Sequence, residues 1–344
     1  ALGIRGEPST PDDPANAKVW SSIRDKIDMP GFENDFITVA DKARTLFEEH
    51  PWSLRGGGVL AGLSKIDKVC HESLDRLSTS IGITCFTLED DAYLVTRTLR
   101  RRLNGRPEFV REMVEGESIR SWSMNENLDC LFPYDADFEP TLEAASTEVR
   151  RYLERFKSRL ANGKMFGGKT KTEVGKKWFE FGRLTSHKID DPLSITFAFV
   201  ATHNHFVLDR GGKVFKQSAP VIKLPEDAGE EDHLELLGPL NSSTGCFWMK
   251  QIFYPKGGDK MGDGARRAKE AWHDRYEHAG TGMKDFPLPA QRPLPIPTRL
   301  DKLGQRLSEY RPQTIAELEV PKSGNLDESK NDRVDTLRKM IPLQ

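Results

Sequence analysis

At 344 residues with 37% hydrophobic side chains, the chain has room for one large or two ordinary domains around a modest core. Charged residues make up 30% and nearly cancel to a net charge of -2, so any nucleic-acid surface has to be local. Four widely spaced cysteines, Cys70, Cys85, Cys130 and Cys246, form no Cys-x-x-Cys pair, which argues against both a zinc site and a disulfide framework. No run reaches the roughly 18 apolar residues of a membrane span, and no basic-then-apolar leader opens the chain. The expectation is a cytoplasmic protein with reduced thiols and no membrane contact.

Residues 1–20 hold Pro8, Pro11 and Pro14 among Ser, Thr and Asp, a linker composition. Short helices are expected over 20–27 and 39–49. Gly56-Gly57-Gly58 then opens a helical pattern over 59–77, with Leu60, Leu63, Ile66, Val69 and Leu74 on its apolar face. A glycine run at a helix start can cradle a phosphate. No strand precedes this one, so a dinucleotide site is not read from it. Arg55 beside it is a candidate contact to a DNA backbone. Residues 80–87 alternate as a strand, Asp90-Asp91 marks a turn, and 93–96 return. The cluster Arg97, Arg100, Arg101 and Arg102 reads as a solvated face or as a DNA contact. A further strand is expected over 128–138.

Residues 150–188 are the lopsided part of the chain. Twelve basic side chains stand against three acidic ones, with Tyr152, Phe156, Phe166, Trp178, Phe179 and Phe181 among them. Lysine and arginine neutralise phosphates and release counterions, which is where most DNA affinity arises. A helix over 148–160 with charges facing water accounts for several of the arginines. It does not account for Gly163-Lys164-Met165-Phe166-Gly167-Gly168-Lys169-Thr170-Lys171, a glycine-rich basic loop suited to lie along a phosphate backbone. Lys164, Lys169, Lys171, Lys176 and Lys177 are therefore the first candidate DNA contacts.

Leu193, Ile195, Phe197, Phe199 and Ala201 fall on one face of a period-two strand, with a partly apolar opposite face, so cover on both sides is expected. Asp209-Arg210-Gly211-Gly212-Lys213 reads as a hairpin turn leading to a strand at 214–215. His203, Asn204 and His205 end the first strand. Two histidines at i and i+2 lack a third ligand for a metal, so a role facing DNA or a structural bond is expected. Arg210, Lys213 and Lys216 are candidate phosphate contacts. Residues 230–240 read as a helix stopped by Pro239 and Asn241, with Ser242 or Ser243 capping a second helix through 250. Residues 256–264 read as a loop and 265–277 as a helix. Pro287, Pro289, Pro293, Pro295 and Pro297 read as an extended strap, 300–310 as a helix, and 333–340 as a last helical segment.

The phrases VATHNHFVLDRGGKVFKQSAPVIKLP and LLGPLNSSTGCFWMKQ resemble the target-recognition part of the adenine-specific DNA methyltransferases of BREX phage-defence systems. These in turn look like the specificity halves of single-chain restriction–modification methylases. GIRGEPSTPDDPA, HPWSLRGGG, LFPYD and WHDRYEHAGTGMKDFPLP match the same family in the same order, and the likeness extends to about residue 297. It implies a methyltransferase domain immediately upstream, which would bind S-adenosylmethionine and methylate adenine N6. No cofactor is expected in this chain itself. An amino-methyltransferase site needs an Asn/Asp-Pro-Pro-Tyr/Phe turn to hold a flipped adenine. The chain has none; Phe132-Pro133-Tyr134-Asp135 is the nearest string and reads as a packed turn. Catalysis by this chain alone is therefore not expected.

The expected fold is mixed α+β: a target-recognition domain with a mostly antiparallel sheet and flanking helices, further helical segments, and no complete Rossmann methyltransferase domain. The expected division is a linker and helical segment over 1–58, the recognition domain over 59–255, and a helical, proline-rich extension over 256–344. The expected partners are double-stranded DNA, the upstream methyltransferase domain and other phage-defence subunits. The rival reading is a protein-interaction module whose basic region meets an acidic protein face.

Overall fold

The computed structural model describes residues 2–4, 12–48, 59–104, 107–125, 128–189, 192–253, 255 and 274–310. Near the start, β1 (Leu2–Ile4) pairs antiparallel with β2 (Ile37–Val39), and α1 (Lys18–Lys26) lies between them in sequence. Helix α1 agrees with expectation. The helix expected over 39–49 is instead the end of β2 followed by a single 3-10 turn at Arg44–Phe47.

The expected helix over 59–77 breaks in two. Helix α2 (Val59–Val69) ends where β3 (Cys70–Ser73) begins, and a one-turn helix α3 (Leu74–Leu77) follows. The cause is a distant partner. Strand β3 pairs with residues 287–289, and the Leu74 and Asp75 N–H groups donate to the Phe286 and Lys284 carbonyls. A ladder supplied from more than 200 positions away overrides local helical periodicity.

Two sheets organise the rest. Strand β4 (Ser80–Gly82) belongs to one and the short β5 (Cys85–Phe86) to another ladder, so the expected strand over 80–87 is divided between them. After the turn of helix α4 (Asp90–Tyr93) come β6 (Leu94–Val95), α5 (Arg97–Arg102), β7 (Val110–Val114), the small hairpin β8 (Ile119–Arg120) and β9 (Ser123–Met124), and β10 (Leu128–Leu131). Helices α6 (Thr147–Glu154) and α7 (Lys157–Ala161) replace the single helix expected over 148–160. Ser146 caps α6 by accepting from the Val149 N–H at 3.2 Å. Strand β11 (Arg183–Leu184) pairs with β5.

The second half begins with β12 (Ser194–Phe197), buried at all four residues as a strand covered on both faces should be. The strand is interrupted at Ala198-Phe199, and β13 (Val200–Ala201) joins a separate ladder. Strand β14 (Phe206–Asp209) pairs with β12, and the rings of Phe206 and Phe197 stack with centroids 5.3 Å apart. The turn at Gly211 and Gly212 forms with φ of +97° and +79°, conformations glycine adopts without strain. Its outcome differs from the expected hairpin. Strand β15 (Lys213–Phe215) leaves β14 and pairs in parallel with β7, joining a sheet of order β15-β7-β10-β6. Strand β16 (Val221–Lys223) returns between β12 and β4, giving the other sheet the order β14-β12-β16-β4. The two sheets are thus threaded through one another by sequence. The fold is mixed α+β, and the β7–β15 pair is the one parallel ladder among the described residues.

Helices α8 (Glu230–Asn241) and α9 (Ser243–Ile252) cover the second sheet with Leu234, Leu236, Leu237, Leu240, Trp248 and Met249, all buried. Each such leucine stabilises the fold by about 1.5–3 kcal/mol. Ser242 sits between the helices and caps α9, accepting from the Gly245 N–H at 2.9 Å, as expected. Of the helix expected over 265–277, residues 274–277 are described, and Tyr276–Glu277 form strand β17 against β13. After α10 (Gly280–Met283), strand β18 (Pro287–Pro289) pairs with β3. The expected proline strap is therefore extended only at its start. Pro295 and Pro297 open the last described helix, α11 (Pro295–Glu309), because proline is preorganised for a first helical turn. The pairs β13–β17 and β3–β18 both cross the expected division at residue 255. The expected segment over 333–340 lies outside the described residues.

Candidate nucleic-acid interface

The basic module is built on the β15-β7-β10-β6 sheet, whose core is Tyr93, Phe109, Phe132, Phe181, Val149, Leu153 and Leu160. Helices α6 and α7 lie on this core through Val149, Leu153 and Leu160, leaving Arg151 and Arg155 exposed. No carboxylate pairs with those two among the described residues. Arg159 is different: it pairs with Glu89 at 2.6 Å and approaches Asp91 at 3.6 Å.

The loop after α7 is a small closed structure. Lys164 bridges Thr170, and the Met165 N–H donates to the Lys169 carbonyl at 2.8 Å. Gly167 and Gly168, with φ of +95° and +84°, turn the chain at the tip. Phe166 at that tip is 100% exposed, an unusual position for a phenylalanine. Lys164 and Lys169 flank it, both exposed and without a carboxylate partner among the described residues.

Lys171 stands apart from its neighbours. Its side chain turns inward and is fully buried, with the ammonium donating to the Glu180 carbonyl and lying 5.7 Å from the Tyr93 ring centre. Burial, with Lys176 adding repulsion, pulls this ammonium down to about 8, against partial support from Glu89 and Glu180. Lys171 therefore seats the loop, and its charge is not offered to a phosphate. Lys176 pairs with Glu180 at 3.3 Å, and the same carboxylate accepts from the Lys177 N–H at 2.6 Å. The exposed Lys177 ammonium donates to the Pro140 carbonyl at 2.7 Å. The loop thus presents Lys164, Lys169 and Phe166 outward on a base fixed by Lys171, Lys176 and Lys177.

The second set of candidates is engaged inside the protein. Asn204 is buried, and its amide donates to the Leu240 carbonyl at 2.7 Å and the Ser242 carbonyl at 3.1 Å, joining the strand end to the α8–α9 corner. Arg210 pairs with Glu230 at 2.7 Å and Asp301 at 2.6 Å, and Lys213 with the buried Asp209 at 2.8 Å. Lys216 lies between Glu115 at 2.6 Å and Asp90 at 2.8 Å. These three cations meet carboxylates of their own chain. His205 contacts the Ser121 hydroxyl at 3.2 Å, and burial followed by the nearby Arg120 takes its imidazole down to about 4. It is neutral at pH 7 and brings no charge to a phosphate. His203 is exposed beside Thr202, with its Nδ1 2.9 Å from that hydroxyl. Arg55 lies outside the described residues. No group of three potential ligands that could hold a metal occurs among the described residues.

The Phe132-Pro133-Tyr134-Asp135 string cannot hold a flipped base or the cofactor. Phe132 is fully buried and Tyr134 nearly so; the Tyr134 ring packs on Phe181, and its hydroxyl accepts from the Phe181 N–H at 2.8 Å. The aromatic face that would stack on adenine is part of the core, so no methylation step is assigned to these residues. Among the described residues no helix is long and apolar enough to cross a membrane.

No family model matches the chain. It is 40% identical over 345 aligned positions to the adenine-specific methyltransferase PglX of Streptomyces coelicolor, an alignment covering 99% of this chain and 28% of that protein. The chain thus spans 28% of the length of this relative, and the resemblance read from the sequence is borne out. Among solved structures, the type IIL restriction–modification enzyme MmeI in complex with DNA aligns at 14% identity and a TM-score of 0.44, covering 80% of this chain and 34% of that one. The type IIG restriction endonuclease BpuSI aligns at 9% identity and a TM-score of 0.43, covering 82% of this chain and 32% of that one.

Proposed function

We propose that this chain, akin over nearly its whole length to part of an adenine-specific methyltransferase, is the DNA-recognition portion of such an enzyme in phage defence. It holds duplex DNA and selects the site at which a catalytic domain outside this sequence, using S-adenosylmethionine, methylates adenine N6. In this proposal residues 1–58 lead from that domain, the recognition unit spans 59–255, and the segment from 256 onward braces it through β17, β18 and α11. The observation that carries the proposal is the loop over 163–172. It projects two unpaired lysines and a bare phenylalanine from a base locked by a buried lysine. A solvated surface has no need of such a seat, whereas a backbone-gripping loop gains from being preorganised. Arg151 and Arg155, at the end of α6, add two further exposed cations.

Division of labour follows from the chemistry. Lysines neutralise phosphates and fix register, while sequence is read by side chains that reach base edges in a groove. Lys164 and Lys169 are assigned the first task. The rival reading, docking onto other defence subunits through an acidic face, predicts a weak salt response, because a protein surface carries no condensed counterions. The test is fluorescence anisotropy of mixed-sequence duplex DNA across a salt series. Steep loss of affinity with salt supports DNA recognition. Absence of binding at low salt together with capture of an acidic protein partner supports the rival.

A further inference from the structure

We infer that α11 carries a second phosphate-binding track, Arg299, Lys302 and Arg306, that grips the backbone of duplex DNA. The inference rests on the proposal that this chain binds DNA, and adds to it a surface on a different module from the glycine-rich loop. The three cations are spaced i, i+3 and i+7, so they lie along one face of the helix. All three are exposed, and none has a carboxylate partner among the described residues. Arg210, Lys213 and Lys216 are each paired with an acid, whereas these three stand together on one helix face with their charges unmet among the described residues. The three line a shallow groove of about 730 Å³ with Thr298 and Leu303, in which Glu231 is the one acid.

The helix that carries them is held rigidly. It seats through Pro297, Asp301 and Gly304, all buried. The Asp301 carboxylate accepts from Arg210 and from Gln305, both at 2.6 Å. Gly304 lies so close to the Trp122 carbonyl that a Cβ there would approach it to 2.2 Å. At about 1.5 Å per residue the track runs roughly 10 Å. One DNA strand offers a phosphate about every 3.4 Å of helix axis, so three cations address about three successive phosphates. The exposed residues Ile296, Leu300, Leu303 and Leu307 form a stripe centred about a quarter-turn away around the helix. A protein partner would need that stripe; a phosphate backbone needs only the cations.

The experiment is a salt series of duplex binding by the full chain, comparing wild type, Arg299→Ala/Lys302→Ala/Arg306→Ala, and Lys164→Ala/Lys169→Ala. At about 0.9 per neutralised phosphate, the α11 variant should flatten the slope of log K against log salt by about 2.7. Its affinity should then fall about 40-fold less than the wild type's between about 50 and 200 mM salt. The change should be equal on duplexes of unrelated sequence, since phosphate contacts carry no sequence information. Thermal melting should not change, because the three side chains touch no acid to lose. If wild type binds and the loop variant flattens the slope while the α11 variant does not, the second track is wrong and the DNA reading stands. If wild type shows no binding at low salt, both fall.

Discussion

Arg210→Ala removes two ion pairs at once, to Glu230 at 2.7 Å and to Asp301 at 2.6 Å. The two losses are unequal. Glu230 is about half exposed and its pair contributes little, whereas the Asp301 side chain is 5% exposed and would be left as a nearly buried carboxylate. Stripping one partner from a buried pair costs about 3–5 kcal/mol. Arg210 is itself 36% exposed, so water enters where it leaves, and Gln305 still donates to the same carboxylate oxygen. The expected cost is therefore nearer 2 kcal/mol, or about 4 °C in Tm at the shallow end of the scale for large domains. Arg210→Met/Asp301→Leu, which removes both charges, should recover at least half of that loss. The assay is thermal melting by circular dichroism at low and moderate salt. An unchanged Tm in Arg210→Ala, with a DNA salt slope flattened by about 0.9, would refute the bracing role and return Arg210 to the phosphate contacts.

Lys171 gives a pH signature. Its ammonium is held at about 8 from an ordinary 10.5, so between those values the unfolded chain binds more protons at this site than the folded one. Its contribution to stability therefore rises with pH across that window, and the wild type should gain on Lys171→Met from pH 8 to pH 10 in thermal melts; a constant difference contradicts the burial. Asn204→Ala leaves the Leu240 and Ser242 carbonyls without their amide donor and should cost about 1–3 kcal/mol in chemical denaturation. An Asn204 that served only to read DNA would show no such loss. Gly304→Ala puts a Cβ against the Trp122 carbonyl and should free α11 first, seen as faster amide exchange in residues 295–309 before any change in the β12–β14 pair.

What the sequence made legible was local. Ser242 as a cap, the glycine turn at 211–212 and the helix expected over 230–240 follow from chemistry within a few residues, although Pro239 lies inside the observed helix Glu230–Asn241 and does not stop it. What it concealed was pairing at a distance. Nothing near Val214 indicates that its strand joins β7 in parallel rather than β14, and nothing near Cys70 announces Pro287–Pro289 as a partner. The site shows the same division. The glycines and lysines of the 163–172 loop mark it as basic and turning. Which lysine turns inward depends on a pocket made by Tyr93 and Glu180, elements set far apart in sequence. Arg210, Lys213 and Lys216 read as free cations because their acids, Asp301, Glu115 and Asp90 among them, lie mostly on other elements. Arg299, Lys302 and Arg306 were the reverse case only in part. Lys302 and Arg306 fall inside the helix expected over 300–310, but Arg299 precedes it, and the i, i+3, i+7 repeat is complete only in the longer observed helix Pro295–Glu309.

The most direct measurement of the central claim is the salt dependence of duplex DNA binding by this chain, set beside Lys164→Ala/Lys169→Ala. Binding should weaken steeply with salt, and the variant's slope should be shallower by about 1.8, at about 0.9 per lost phosphate contact, with an unchanged Tm because both lysines are exposed and meet no carboxylate among the described residues. Wild-type binding with the same slope in the variant would contradict the loop's role. No salt-sensitive binding at all would contradict the assignment of this chain to DNA recognition.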